Sequence, residues 1–338
     1  MTHSIIDPVA LTRDLMAIPS ETRSEGDVVE YIAWFLGRRG WRVQRQEVAP
    51  GRDNVYAHRG APVVVFSTHL DTVPPQLPIS VDAEMIRGRG ACDAKGIAAA
   101  MIAAAEQLVA EGEERVGLLF VVDEEDGSAG AIAAASLEPK GSFLINGEPT
   151  ENKLVTAQKG SCKVVLRARG RAAHSGYPEL GDSAINRLLD ALARIRALPL
   201  PVDPVLGPCT LNIGRISGGE APNVIAPSAR ADIHVRLVGP AEPIVAAITA
   251  AAGDQIDVTV AGGIPMATAP ALPGWPSTTV AYASDLAYHG SWGTCYQFGP
   301  GTIHVAHTDH EHMPIGDLLE GVELYVKLAR TLLRNRAG

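Results

Sequence analysis

Val63-Val64-Val65-Phe66-Ser67-Thr68-His69-Leu70-Asp71-Thr72-Val73 begins as an apolar, β-branched run of strand length and ends in polar residues. That pattern reads as a buried strand whose last residues reach the rim of a sheet. His69 and Asp71 stand two apart where the strand runs out. Side chains at i and i+2 of an extended segment share a face, so the imidazole and the carboxylate project together. A metal-bound histidine usually gives its second ring N–H to a carboxylate or carbonyl, which sets tautomer and aim. An isolated His-x-Asp is more often a polar turn. The rest of the chain argues against that reading.

On either side of this strand, strands alternate with helices. Asp7-Pro8 with Val9, Leu11, Leu15 and Met16 opens an amphipathic helix that Ile18-Pro19-Ser20 ends. A second helix runs from Glu25 to Arg39 and stops at Gly40. Trp41-Arg42-Val43 and Asn54-Val55-Tyr56 are short strands, Ala94 to Val109 is an Ala-rich buried helix, and Val116–Val122 and Phe143–Ile145 are buried strands. This alternation indicates an α/β layer with a mixed, mostly parallel sheet flanked by helices. After Gly160 the texture changes. Strands at Cys162–Ala168, Thr210–Ser217, Ala229–Leu237 and Ile256–Val260 alternate with helices at Asp182–Leu198 and Pro240–Ala252. That order is a split βαβ pattern, a four-stranded antiparallel sheet with two helices. The first style resumes through Tyr282–His289, Cys295–Phe298 and a closing helix Ile315–Leu333. The expected organisation is a catalytic domain of residues 1–159 and 265–338, interrupted by a small α+β domain at 160–264.

Length and composition bound the function. A chain of 338 residues predicts about two domains. With 46% hydrophobic and 20% charged residues it has the make-up of a soluble globular protein. The net charge of −9 argues against nucleic acid or an anionic membrane as partner. Cys92, Cys162, Cys209 and Cys295 are far apart and form no CxxC, which suggests neither a zinc ribbon nor a disulfide framework. Each reads as a small apolar residue in a reducing compartment. Met1 to Leu15 mixes Asp7, Arg13 and Asp14 among apolar positions, unlike a signal peptide. The expectation is a cytoplasmic protein with no membrane span.

Four further acidic or imidazole features fall at strand ends of the larger domain. Gly88-Arg89-Gly90-Ala91-Cys92-Asp93-Ala94-Lys95-Gly96 carries Asp93 immediately before the Ala-rich helix, where an aspartate is usually a cap. A phosphate loop is only weakly suggested, because GxxxxGK[ST] is absent and the lysine is placed differently. Asp123-Glu124-Glu125-Asp126-Gly127 follows a buried strand. Four adjacent carboxylates repel one another and on a surface are only a solvated turn. At the carboxyl end of a sheet they stand where α/β proteins place their ligands. Gly147-Glu148-Pro149 and Gly299-Pro300-Gly301, followed by His304, His307, His310, Glu311 and His312, complete the set. Two imidazoles with three or four carboxylates suit a hydrolytic pair of divalent ions. Zinc is the first candidate, with cobalt or manganese as alternatives.

Taken with Gly170-Arg171-Ala172-Ala173-His174-Ser175 and Asn223-Val224-Ile225, these motifs resemble the M20 metallopeptidase family. Within it the chain most resembles the acetylornithine deacetylase/succinyl-diaminopimelate desuccinylase branch, from residue 11 to 333. The resemblance implies a role for each position. His69 and Glu148 would bind the first ion, Asp71 would orient His69, and Asp93 would bridge both ions. Glu125 and His307 would bind the second ion, with Glu124 as general base. His174 would steady the oxyanion, usually from a partner subunit, so the inserted domain would serve as lid and homodimer contact. Asn223 and Arg236 would hold the substrate's backbone end. His304, His310 and His312 match no ligand position and read as loop residues or as supports behind the ligands. Pro74-Pro75-Gln76-Leu77-Pro78 lacks the Trp and Pro-Phe expected there, which alters one wall of the pocket.

The expected activity is removal of an acyl group, acetyl first, from an N-acyl-amino acid such as N-acetylornithine, N-acetylcitrulline or N-acetyllysine. A metallo-dipeptidase or carboxypeptidase on the same scaffold is the alternative. A non-enzymatic metal binder is disfavoured, because storage needs no base such as Glu124.

Overall fold

The computed structural model describes residues 6–335. The chain forms two compact units, one of Met1–Thr156, Thr268–Thr278 and Ser284–Gly338, the other of Ala157–Ala267 and Thr279–Ala283. The first unit is α/β. Its six-stranded sheet has the order Arg42–Ala49, Arg52–His58, Val116–Val121, Val64–His69, Phe143–Asn146, Thr294–Gln297. The last four run parallel, and the first two form an antiparallel hairpin at one edge. Val64–His69 is central and buried along its whole length, as its continuous apolar run requires. Its neighbours on either side, Val116–Val121 and Phe143–Asn146, come later in the chain. The strand order therefore reverses beside His69, and ligands of open α/β sheets bind at such a crevice.

The helix Lys95–Ala110 is buried on nearly every side, which explains its run of small residues. It packs with Pro8–Met16, Gly26–Arg38 and Ile315–Asn335 in one core with Phe66, Phe120, Phe298 and Tyr325. Tyr325 holds Phe298 edge-on at 5.1 Å and donates its hydroxyl proton to the Phe298 carbonyl at 2.7 Å.

The second unit is an antiparallel sheet ordered Thr210–Gly218, Ser228–Leu237, Gly160–Arg169, Ile256–Ile264. Alternate residues Val164, Leu166, Ile233 and Val235 pack against Leu188 and Ile195 of helix Ala184–Arg196 and Ile248 of helix Ala241–Ala252. In register, Ser228 faces Arg169 and Arg236 faces Ser161.

Several elements go beyond the sequence reading. The segment read from Tyr282 to His289 is a 3-10 helical stretch, Asp285–Trp292, capped by the Ser284 hydroxyl. A short helix, Ala129–Ala134, follows the acidic loop. Met85–Arg87 pairs antiparallel with His312–Pro314. Each strand of that pair has three residues, and the partners lie over two hundred positions apart, so no local pattern announces them. Among the described residues no helix is long and apolar enough to cross a membrane.

Candidate metal centre

Five chain segments converge at the carboxyl ends of the parallel strands. His69 ends the central strand and is 1% exposed. Its Nδ1 lies 2.9 Å from the main-chain oxygen of Asp71 and 3.5 Å from that residue's carboxylate. The ring is therefore held by backbone as well as side chain, and Nε2 faces Asp93 Oδ1 at 3.0 Å. Burial alone would lower the imidazole pKa, but the Asp71 and Asp93 carboxylates outweigh it and raise the pKa well above the ordinary value.

Asp93 stands between both imidazoles, with His307 Nε2 3.2 Å from its Oδ2. Burial would raise its pKa, but hydrogen bonds from His307 and His69 overcome that and hold the carboxyl below its usual range. Glu125 approaches the same His307 nitrogen at 3.0 Å. Hydrogen bonds to Asp93 and Glu125 lift the His307 pKa to about 10. Donor atoms of His69, Asp93 and Glu148 lie within 4.8 Å of one another, and so do those of Asp93, Glu125 and His307. The two groups share Asp93, the arrangement a bridging carboxylate requires. Nitrogen and carboxylate oxygen donors fit zinc first and cobalt or manganese next.

Glu124 belongs to neither group. Its pKa is raised well above the usual range, first by burial and then by Glu148. Burial raises Glu148 and Glu125 as well. The site holds more carboxylates than its two imidazoles can neutralise, so positive charge would be strongly favoured there. The loop carrying Glu124 is closely fixed. The Asp71 carboxylate accepts from Glu124 N and Glu125 N, both at 3.1 Å, and from the Thr22 hydroxyl at 2.9 Å. Arg52 bridges Glu25 and Asp123, each at 2.6 Å. Asp123 and His307 have φ of +71° and +61°. Such left-handed residues are strained, and strain of this kind collects at functional sites.

His174 and Asn223 come together in the second unit, where an antiparallel bridge joins His174 to Val224 and Ser175 N donates to the Asn223 carbonyl at 2.9 Å. Gly176 N donates to His174 Nδ1 at 3.0 Å, so the neutral ring carries its proton on Nε2. Both residues are exposed. Arg236 lies apart from them. Eight residues of strand separate it from Ser228, which stands at the His174 end of the sheet. At ~3.3 Å per residue that is roughly 26 Å.

His304 and His310 are loop residues, whereas His312 opens the strand His312–Pro314. None of the three belongs to either donor group; His310 Nδ1 lies 2.9 Å from Asp309 Oδ1, and His312 Nδ1 lies 2.9 Å from the His310 carbonyl. Two buried residues escaped the sequence reading. Asp285 is 1% exposed, its oxygens have no well-formed hydrogen bond among the described residues, and burial pushes its pKa up to about 7. Arg89 is 2% exposed and pairs with Glu311. The only local sign of Asp285 was Ser284 before it, which looks like an ordinary cap.

The family model for peptidase family M20/M25/M40 matches residues 65–331. A probable carboxypeptidase of Emericella nidulans is 38% identical, the match covering 98% of this chain and 91% of that protein. A peptidase M20 domain-containing protein of Schizosaccharomyces pombe is 36% identical over 96% of this chain and 85% of its own length. The M20 family metallo-carboxypeptidase of Sulfolobus solfataricus superposes with a TM-score of 0.80 at 15% identity, covering 97% of this chain and 99% of that one, which establishes a common fold. With the family model spanning most of the chain and these relatives matching nearly all of it, the protein belongs to peptidase family M20/M25/M40, a family of metal-dependent amide hydrolases.

Proposed function

We propose that this chain is a dinuclear-metal exopeptidase, most simply a carboxypeptidase or dipeptidase, acting on the amide bond of a short peptide. The observation that carries the proposal is the pair of three-residue donor groups sharing Asp93, with Glu124 beside them and outside both. His69, Asp93 and Glu148 would hold one ion, and Asp93, Glu125 and His307 the other, with zinc as the first choice. When bound, such ions polarise the amide carbonyl and acidify the attacking water. Glu124 takes the water's proton and returns it to the leaving amine, a task suited to a carboxylate whose pKa is raised. His174 offers an Nε2–H donor to the developing oxyanion. The Arg236 guanidinium suits a substrate carboxylate. In one copy Arg236 and Asn223 are too far apart to hold the same small carboxylate. If both hold it, two copies must meet at one site, which supports a homodimer built through the second unit, in a cytoplasmic enzyme.

The relatives' carboxypeptidase names support this reading more than deacylation of N-acetylornithine or its kin. Deacylation remains the second reading. Asn223-Val224-Ile225 and the stretch Gly299–His307 with Glu311 favour it, and its chemistry is identical up to the acyl half. A panel of dipeptides, N-acetyl- and N-succinyl-amino acids, assayed with added Zn²⁺ or Co²⁺, separates the two. Release of free C-terminal amino acids from dipeptides is expected; turnover confined to N-acyl substrates would replace the peptidase reading with the deacylase one. Glu124→Gln should keep both ions while kcat falls on the order of 10² or more.

A further inference from the structure

We infer that Glu311, paired with Arg89, is the positioning residue for the second cation site, binding the loop that carries His307 to the turn that carries Asp93. The inference rests on the two-cation reading. Glu311 stands four residues after His307 and is 1% exposed. Its Oε1 accepts from the backbone N–H groups of Cys92 at 3.1 Å and Asp93 at 3.0 Å. Its Oε2 takes the Arg89 guanidinium at 2.7 Å. Its own carbonyl accepts from Gly88 N at 3.0 Å, so main chain and side chain both grip the 88–93 turn. The pairing of His312–Pro314 with Met85–Arg87 continues the same attachment on the far side of the turn.

A buried ion pair is a poor source of net stability, because desolvation offsets most of its Coulomb attraction. Holding geometry is the better account of this one. Asp93 and His307 come from segments more than two hundred residues apart, yet their reacting atoms lie 3.2 Å from each other. Among the described residues, Glu311 is the one side chain of the His307 loop that makes hydrogen bonds to the backbone of the Asp93 turn. Partners that orient a ligand in this way commonly change metal affinity about 10–100-fold when removed.

The test compares two double variants, each free of an orphaned buried guanidinium. Arg89→Met with Glu311→Gln keeps an acceptor oxygen for the Cys92 and Asp93 N–H groups; Arg89→Met with Glu311→Met removes it at similar volume. Metal-free protein is titrated with Zn²⁺ alone by calorimetry, and its melting is recorded separately. Wild type is expected to take two ions. The Met variant should bind the second ion about 10–100-fold more weakly, with a smaller change in the first, and the Gln variant should recover most of the difference. Equal second-ion affinity in the wild type and the Met variant would overturn the inference. So would a Met variant that loses both ions in proportion to an early metal-free melt, which would assign the pair to the fold alone. A wild type that takes no Zn²⁺ would instead sink the two-cation reading, and this inference with it.

Discussion

The carboxylate of Asp71 holds the Glu124 and Glu125 backbone N–H groups, while its main-chain carbonyl meets His69 Nδ1 at 2.9 Å. The carboxylate lies farther from His69 Nδ1, at 3.5 Å, so the two jobs can be largely separated. Asp71→Asn leaves the carbonyl untouched, so His69 should keep its aim and the protein its zinc. The amide, however, turns one acceptor into a donor facing a backbone N–H. The Glu124 loop should loosen and kcat fall about 10–100-fold, read from steady-state kinetics at full metal loading. Zinc loss matching the activity loss would count against this division of labour. A second residue makes a cleaner pH probe. His289 is fully buried, its ring nitrogens have no hydrogen-bond partner among the described residues, and burial lowers its pKa to about 4. With a folded pKa below the unfolded value of ~6.5, its contribution to stability is complete above pH ~6.5 and is lost as pH falls toward 4, on the order of 3 kcal/mol. His289→Phe should flatten that part of the stability profile relative to wild type, measured by urea unfolding of metal-free protein. The residues of the two donor groups were legible in the sequence because histidine and carboxylates at successive strand ends are chemically conspicuous. Asp285 and Arg89 were not, since a buried polar residue is recognised only by its surroundings.

Among the elements, the helix Lys95–Ala110 shows how closely the site depends on backbone approach. Gly96, in its first turn, leaves no room for a side chain, because a Cβ there would overlap the Ala91 carbonyl oxygen. Backbone cannot rotate aside as a side chain can, and Asp93 lies between the two colliding residues. Gly96→Ala should therefore destabilise the fold by about 1–3 kcal/mol and weaken zinc binding as well. A control is Gly37→Ala, where a Cβ meets nothing within 4 Å and the helix should tolerate or welcome it. Thermal melting with and without Zn²⁺ distinguishes the two. Sequence periodicity captured this helix, the central strand and the closing helix, because each spans several turns or a full apolar run. It missed Met85–Arg87, His312–Pro314 and Ala129–Ala134, whose existence depends on distant partners rather than on their own residues.

At the scale of the whole molecule, the proposed homodimer turns on where His174, Asn223 and Arg236 stand in the second unit. His174 and Asn223 sit together in the second unit, and Arg236 lies near the opposite end of the same sheet. A substrate gripped at both places within one chain would have to span most of the sheet, which a dipeptide cannot do. If His174 and Asn223 serve a partner's site, no single chain has to grip one substrate at both ends of the sheet. The proposal has a direct consequence for mixed dimers. Glu124→Gln and His174→Ala should each be nearly inactive when pure. Co-expressed, half the dimers are mixed, and in each mixed dimer one site has both an intact Glu124 and an intact His174 from the partner. Activity should recover to roughly a quarter of wild type for two-fold dimers. If His174 acted within its own chain, no mixed dimer would contain an intact site and mixing would restore nothing. Sedimentation of the same samples checks that dimers form. Recovery without dimers, or dimers without recovery, would each contradict the exchange.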